Sequence, residues 1–111
     1  MEFDKEAEGI LIMLSMEGKY TADVLSQVGL DDFHDNTNKD LFLDIVAMFS
    51  NNEELSLLSV DSKHHDLIHE FMRKNGFSVL TDMALVAKKS DIPVMAKRVK
   101  SAKENRQLLQ Y

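Results

Sequence analysis

The sequence predicts an all-α fold: a small helical head of about five helices followed by a longer final helix. Three observations indicate this fold. The 111 residues include one Pro and four Gly, so strong helix breakers are rare. Apolar residues recur at helical spacing, and no strand-like alternation exceeds about four residues. The hydrophobic fraction of 44% is enough for a core at this length, and a single domain is expected.

The first helix is expected over residues 4–16, and Gly18 is expected to stop it. A short second helix is expected to begin with Thr21 as its cap and to end at Gly29. The third helix follows the turn Asp32-Phe33-His34, and we expect Asn36 or Thr37 to cap it. Its apolar positions are Leu41, Phe42, Ile45, Val46, Met48 and Phe49, at helical spacing, and Asn51-Asn52 marks its exit. We expect Phe33, Phe42 and Ile45 to anchor the core.

The second half of the chain is expected to begin with an extended crossing over residues 55–60. Asp61 or Ser62 is expected to cap a fourth helix that runs to Lys74, and Asn75-Gly76 closes it. A fifth helix is expected over residues 77–87. The last helix opens with Asp91 at its N-cap and Pro93 in its first turn, and it runs about 18 residues, or roughly 27 Å.

The apolar stripe of the last helix comprises Ile92, Met95, Val99, Ala102 and Leu109. A helix of this length on a small bundle is expected to project beyond its own core. A projecting apolar stripe needs a partner, so these five residues are predicted to form an interface with another chain.

The charge is divided unevenly along the chain. Residues 1–87, the acidic body, carry 6 Lys/Arg against 17 Asp/Glu, whereas residues 88–111, the basic tail, carry 7 against 2. The basic face of the tail consists of Lys97, Arg98, Lys100, Lys103 and Arg106. Three interpretations stay open: the tail docks on a neighbouring copy, it meets an acidic partner, or it is a solvated face. Direct contact with nucleic acid is not expected, because the body is acidic and no aromatic residues interleave with the cations.

Catalysis finds no support in the sequence. The absence of Cys excludes disulfides, thiolate metal sites and a Cys nucleophile. There is neither a glycine-rich phosphate loop nor a GxSxG elbow. We therefore expect no enzyme activity and no cofactor. The N-terminus is acidic, unlike a signal peptide, and the longest apolar run, residues 10–14, is too short for a membrane span, so a cytoplasmic location is expected.

The cluster from His64 to His69 is the one metal-like feature. His65 and His69 lie four residues apart on one helix face, and Asp61 lies near it. The HExxH pattern is absent and no distant third ligand is evident. A solvated polar face is the favoured interpretation and no metal is predicted, but a metal-binding protein remains the alternative from another functional class.

Several segments, in order, resemble the N-terminal domain of the bacterial DnaB-type replicative helicase family. They are Glu6-Ala7-Glu8, Asp32-Phe33-His34, Asn38-Lys39, Leu41-Phe42, Leu55-Ser56-Leu57-Leu58-Ser59-Val60, Gly76-Phe77 with Leu80, and Met95-Ala96-Lys97-Arg98-Val99-Lys100 followed by Arg106. The chain departs from the family pattern at Gly9, where Gln is usual, at Met13, where a small Gly is usual, and at Asn38-Lys39, where His-Arg is usual.

The resemblance implies a helical head over residues 1–90 and the first arm of a helical hairpin over residues 91–111. In such helicases these domains pair through their hairpins into a collar on the hexamer, which docks primase and in some systems responds to a loader. The motor is a separate RecA-like domain. The leading hypothesis is therefore a non-catalytic interaction and oligomerisation domain of a replicative helicase, with itself, primase or a loader as partners. The alternative is a free-standing phage or mobile-element protein that binds the host helicase or its loader.

Overall fold

The computed structural model describes residues 3–76 and 87–108, which form helices and no strand. The predicted all-α class is confirmed, and the last helix is the longest of those described. The elements are α1 (Lys5–Ser15), α2 (Gly18–Gln27), a 3-10 turn (Leu30–Asp32), α3 (Asn36–Ser50), α4 (Leu57–Lys63), α5 (His65–Asn75) and α6 (Asp91–Leu108). The helix predicted over residues 77–87 lies, apart from residue 87, outside the described residues.

The central helix of the domain is α1. The carboxylate of Asp4 caps it by accepting a hydrogen bond from the Ala7 N–H at 3.0 Å. Apolar side chains project on most sides, and Leu11, Ile12 and Leu14 are almost fully buried. Helices α2, α3, α5 and α6 all pack against α1. A helix that is apolar nearly all round needs such enclosure.

The start of α2 differs from the prediction. Gly18 begins α2 and does not simply stop α1, and Thr21 lies buried inside the helix, where it cannot cap it. The Thr21 hydroxyl donates to the Ser15 carbonyl at 2.7 Å and so joins the two helices. The Gly18 N–H donates to the Leu55 carbonyl at 3.0 Å, and a Cβ on Gly18 would lie 3.2 Å from that oxygen. Gly18 therefore lies at a close approach between segments, where an added Cβ would crowd the Leu55 carbonyl. Local sequence signals do not reveal this approach.

Helix α3 begins one residue earlier than expected. Its cap is Asp35, not Asn36 or Thr37, and the Asp35 carboxylate accepts from the Asn38 N–H at 3.0 Å. The turn before it buries Phe33, whose ring centroid lies 4.9 Å from that of Phe42. Ile45 lies fully buried in the same cluster. The exit at Asn51-Asn52 is confirmed, because Asn51 is the C-cap and Asn52 has φ 56°.

The extended crossing predicted over residues 55–60 is wrong from Leu57 onward, where α4 begins. Ser56 and Ser59 form a capping box, each hydroxyl accepting from the other's backbone N–H at 2.9 to 3.0 Å. Asp61 and Ser62 lie inside α4, so neither caps the next helix. The chain breaks at His64, with φ −133° and ψ 48°, and α5 follows.

Two helix boundaries in the second half follow the prediction. Gly76 ends α5 with φ 82°, a backbone conformation suited to glycine. Pro93 lies in the first turn of α6, where its missing N–H costs nothing. Asp91 is the first helical residue, one position later than an N-cap, and its carboxylate accepts from the Lys88 N–H at 2.7 Å.

Candidate interaction surfaces

The apolar stripe of α6 divides between the core and the surface. Ile92 and Val99 are each 1% exposed, because the first half of α6 lies on α1 and α2. They are core residues of this chain. Met95 and Ala102 are partly buried, and Leu109 lies outside the described residues. Met95, Ala102 and Leu109 thus remain the predicted interface residues.

The basic face of α6 is attached to the chain's own acidic body through Arg98. Its Nε and Nη2 donate to the two Asp4 carboxylate oxygens at 2.8 and 2.9 Å, and its Nη1 donates to Glu6 at 3.0 Å. Burial alone would raise the pKa of Asp4, but the hydrogen bonds from Arg98 and the Ala7 N–H outweigh it and hold that pKa below its ordinary value. The bidentate geometry fixes α6 across the start of α1.

A second attachment of α6 centres on Asp32. The Nζ atoms of Lys100 and Lys103 each lie 3.5 Å from an oxygen of its largely buried carboxylate, and the Gly29 N–H donates to it at 2.9 Å. Burial raises the pKa of Asp32, but the Gly29 N–H and the two lysines together bring it below the ordinary value. Of the other basic-face residues, Lys97 is exposed and Arg106 is partly buried. Much of the basic tail is therefore neutralised by carboxylates of the same chain. None of the three interpretations of the charge pattern included this intramolecular contact.

A buried carboxylate joins α1 to the start of α3. Glu8 is 1% exposed and accepts from the backbone N–H groups of His34 and Asp35, at 2.9 and 3.3 Å, and from the side-chain amide of Asn38 at 3.0 Å. This network, the Glu8 junction, brings together residues from three segments that carry the family resemblance. The sequence patterns did not predict this role of Glu8, although an acidic residue beside the apolar side of α1 is the signal for a buried, hydrogen-bonded carboxylate.

The start of α3 is also tied to α5. Lys74 Nζ donates to Asp35 at 3.1 Å and to the Thr37 hydroxyl at 2.9 Å. Asp35 therefore acts as both helix cap and ion-pair partner. The Glu8 junction and this contact together fix the turn that precedes α3 from two sides.

The histidine cluster is divided among separate partners. His64 Nδ1 lies 3.2 Å from Asp44, and His65 Nδ1 lies 2.9 Å from Asp61. The ring centroids of His65 and His69 are 6.2 Å apart. Within residues 3–76 and 87–108, no group of three or more His, Cys, Asp or Glu side chains could hold a metal ion. The metal-binding alternative thus gains no support from the described geometry.

An apolar groove runs between α4 and α5. Its volume is about 460 Å³, and its described lining residues are Leu57, Leu58, Asp61, His65, Ile68, His69 and Met72. Leu58 is 76% exposed, although it is a large apolar side chain. The sequence did not predict this groove, because it forms only when residues 57–63 are helical. Of the described helices, none combines the length and apolar character needed to cross a membrane.

These helices define a class of protein: an all-α domain in which short helices enclose α1 and the longest described helix comes last. A solved structure similar to this chain is the crystal structure of the N-terminal domain of DnaB helicase from Mycobacterium tuberculosis. The TM-score is 0.73, the similarity covers 97% of this chain and 79% of that chain, and the sequences are 19% identical. The resemblance to the DnaB N-terminal domain is thereby confirmed at the level of the fold. No protein-family model and no curated protein sequence matches the chain.

Proposed function

We propose that this chain works as a non-catalytic helicase N-terminal domain in DNA replication in the cytoplasm. Its role is to assemble with copies of itself and to dock primase or a helicase loader. The observation that carries the proposal is the similarity in fold to a DnaB N-terminal domain over 97% of this chain. Because a fold can host many functions, the proposal also needs a surface suited to assembly.

The second half of α6 supplies such a surface. From Lys100 to Leu108 every residue is exposed or partly buried, whereas Ile92, Ala96 and Val99 are buried. The Arg98 and Asp32 attachments hold the helix against the body, so its second half has a fixed direction. We propose that Ala102 on this arm, together with Leu109 and the exposed part of Met95 in the first half of α6, contacts a second copy. A fixed direction of the arm keeps the ordering cost of association low.

Self-association is tested by sedimentation equilibrium over a concentration series. The expected result is a reversible dimer or larger oligomer. Ala102→Arg should shift the chain toward monomer, because a large charged side chain replaces a small one in the proposed interface. Ser101→Arg is the matched control: Ser101 is exposed on the same helix and lies outside the proposed interface.

Docking is tested by retention of purified bacterial primase, helicase and loader on the immobilised chain. We expect retention of primase or loader. A chain that stays monomeric at every concentration and retains none of the three proteins would overturn the proposal.

A further inference from the structure

The groove between α4 and α5 has the properties of a docking site for a helix. We propose that it binds an amphipathic helix of a partner protein, one that carries Lys or Arg beside its apolar face. The inference rests on the proposed function and deepens it, since it names a surface and the chemistry of the partner that would dock there.

The lining of the groove fits an inserted apolar helix face. Ile68 forms a buried part of the lining, and Met72 lies one turn further along the same face of α5. Leu58 of α4 is largely exposed beside them. Methionine adapts its shape to different apolar partners, and grooves of this kind commonly take the i, i+3/i+4 and i+7 residues of a helix.

The surroundings of the groove are acidic. Residues 53–74 carry five acidic side chains, Glu53, Glu54, Asp61, Asp66 and Glu70, against the three cations Lys63, Arg73 and Lys74. Lys63 pairs with Glu53, Arg73 with Glu70 and Lys74 with Asp35 of α3, which leaves Glu54, Asp61 and Asp66 without a Lys or Arg partner among the described residues. Glu54 and Asp66 are exposed. A partner helix with cations beside its apolar face would therefore be attracted to the groove, and an acidic helix would be repelled.

The basic helix of the same chain is engaged elsewhere. Helix α6 packs on α1, α2 and the 3-10 turn, and its cations Arg98, Lys100 and Lys103 contact Asp4, Glu6 and Asp32. A second copy is also a poor occupant, because Arg98, Lys100 and Lys103 are neutralised there in the same way and its net charge is −6. The charges therefore favour a different, basic protein.

The test uses a synthetic peptide of about 18 residues, long enough for stable helical turns, with Leu and Lys arranged as an amphipathic helix. A second peptide replaces every Lys with Glu. Fluorescence anisotropy with the full chain should show binding of the Lys peptide and weaker or no binding of the Glu peptide. Equal binding of the two peptides would overturn the role assigned to charge.

Two leucines provide a matched pair of variants. Leu58 in the groove and Leu108 on α6 are 76% and 71% exposed, so neither substitution should affect folding. Leu58→Ser should weaken binding of the Lys peptide about tenfold, and Leu108→Ser should leave it unchanged. Asp66→Asn should weaken binding about twofold, whereas Asp31→Asn, a change at an exposed residue of the 3-10 turn, should not. Equal losses for Leu58→Ser and Leu108→Ser would overturn the proposed site.

Methyl NMR of the chain with the Lys peptide locates the contact directly. The Met72 methyl signal should shift, and that of the buried Met48 should not. If Leu58→Ser abolishes self-association of the chain without any peptide, the groove belongs to a second copy and the inference fails. A chain that self-associates and retains primase but binds no Lys peptide would refute the groove proposal while leaving the proposed function intact.

Discussion

The Glu8 junction and the α4–α5 groove use polar and apolar groups in opposite ways. At the junction a carboxylate is buried and its oxygens accept three hydrogen bonds from fixed donors. At the groove an apolar side chain, Leu58, is largely exposed to solvent, and one acidic side chain, Asp61, shares the lining with it. A buried carboxylate that accepts hydrogen bonds from fixed donors favours one packing, whereas exposed apolar surface remains available to another molecule. The difference separates the part of the chain that holds the fold from the part that we propose as a binding surface.

The largest expected effect is at Phe33, which packs beside the junction. Phe33→Ala should lower the free energy of unfolding by about 3–5 kcal/mol, because it removes a fully buried ring against Phe42. The measurement is urea denaturation followed by circular dichroism. Phe49→Ala is the control: Phe49 is 40% exposed, and its loss should lower the free energy of unfolding by only about 1–2 kcal/mol. Equal costs would show that the core does not depend on the Phe33 turn.

The next effect tests the junction itself. Glu8→Ala leaves two backbone N–H groups and the Asn38 amide without their buried acceptor and should cost about 3 kcal/mol in the same experiment. Glu6→Ala removes an exposed carboxylate two residues away and should cost less than about 1 kcal/mol. If the two variants unfold at the same urea concentration, the junction does not stabilise the fold.

A smaller, pH-dependent effect is expected where α6 meets α1. Arg98→Met should lower the free energy of unfolding by about 1 kcal/mol at neutral pH. The loss is modest because the Arg98–Asp4 ion pair is partly exposed to solvent. The pKa of Asp4 is lowered in the folded chain. Its ionised carboxylate therefore contributes fully to the free energy of unfolding above its ordinary pKa of 3.8, and this contribution is lost as the pH falls through the lower folded pKa. The stability difference between Arg98→Met and the parent chain should therefore shrink below pH 3.8. Lys97→Met, at an exposed position, should show no such change; a difference that stays constant with pH would exclude the Asp4 contact as its source.

The smallest effect is expected on the groove side. Leu58→Ser should change the free energy of unfolding by no more than about 0.5 kcal/mol, because the side chain is mostly solvated already. Thermal and urea unfolding check this. A loss comparable with that of Glu8→Ala would mean that Leu58 belongs to the core and that the two regions do not differ as described.

Local signals in the sequence predicted much of the helical framework. Helix α1, the exit of α3 at Asn51-Asn52 and the end of α5 at Gly76 all follow from capping residues, spacing and backbone freedom close by in the chain. Helix α4 was missed, because Ser56 and Ser59 bond reciprocally in a pattern with Ser in place of the usual Glu or Gln at N3. The groove was missed with it, since a groove requires both helices.

The sequence by itself determined the all-α class, the family resemblance and the presence of an apolar stripe and a basic face on the last helix. Only the tertiary structure decided what covers them. Ile92 and Val99 turn inward to the chain's own core, Arg98 and Lys100 reach its own carboxylates, and Glu8 is enclosed by the turn before α3. The physical reason is that helical spacing places residues on a common face, whereas the partner of that face depends on contacts between distant segments. An apolar stripe therefore predicts that the helix packs against another surface. The tertiary structure determines whether that surface belongs to the same chain or to a partner.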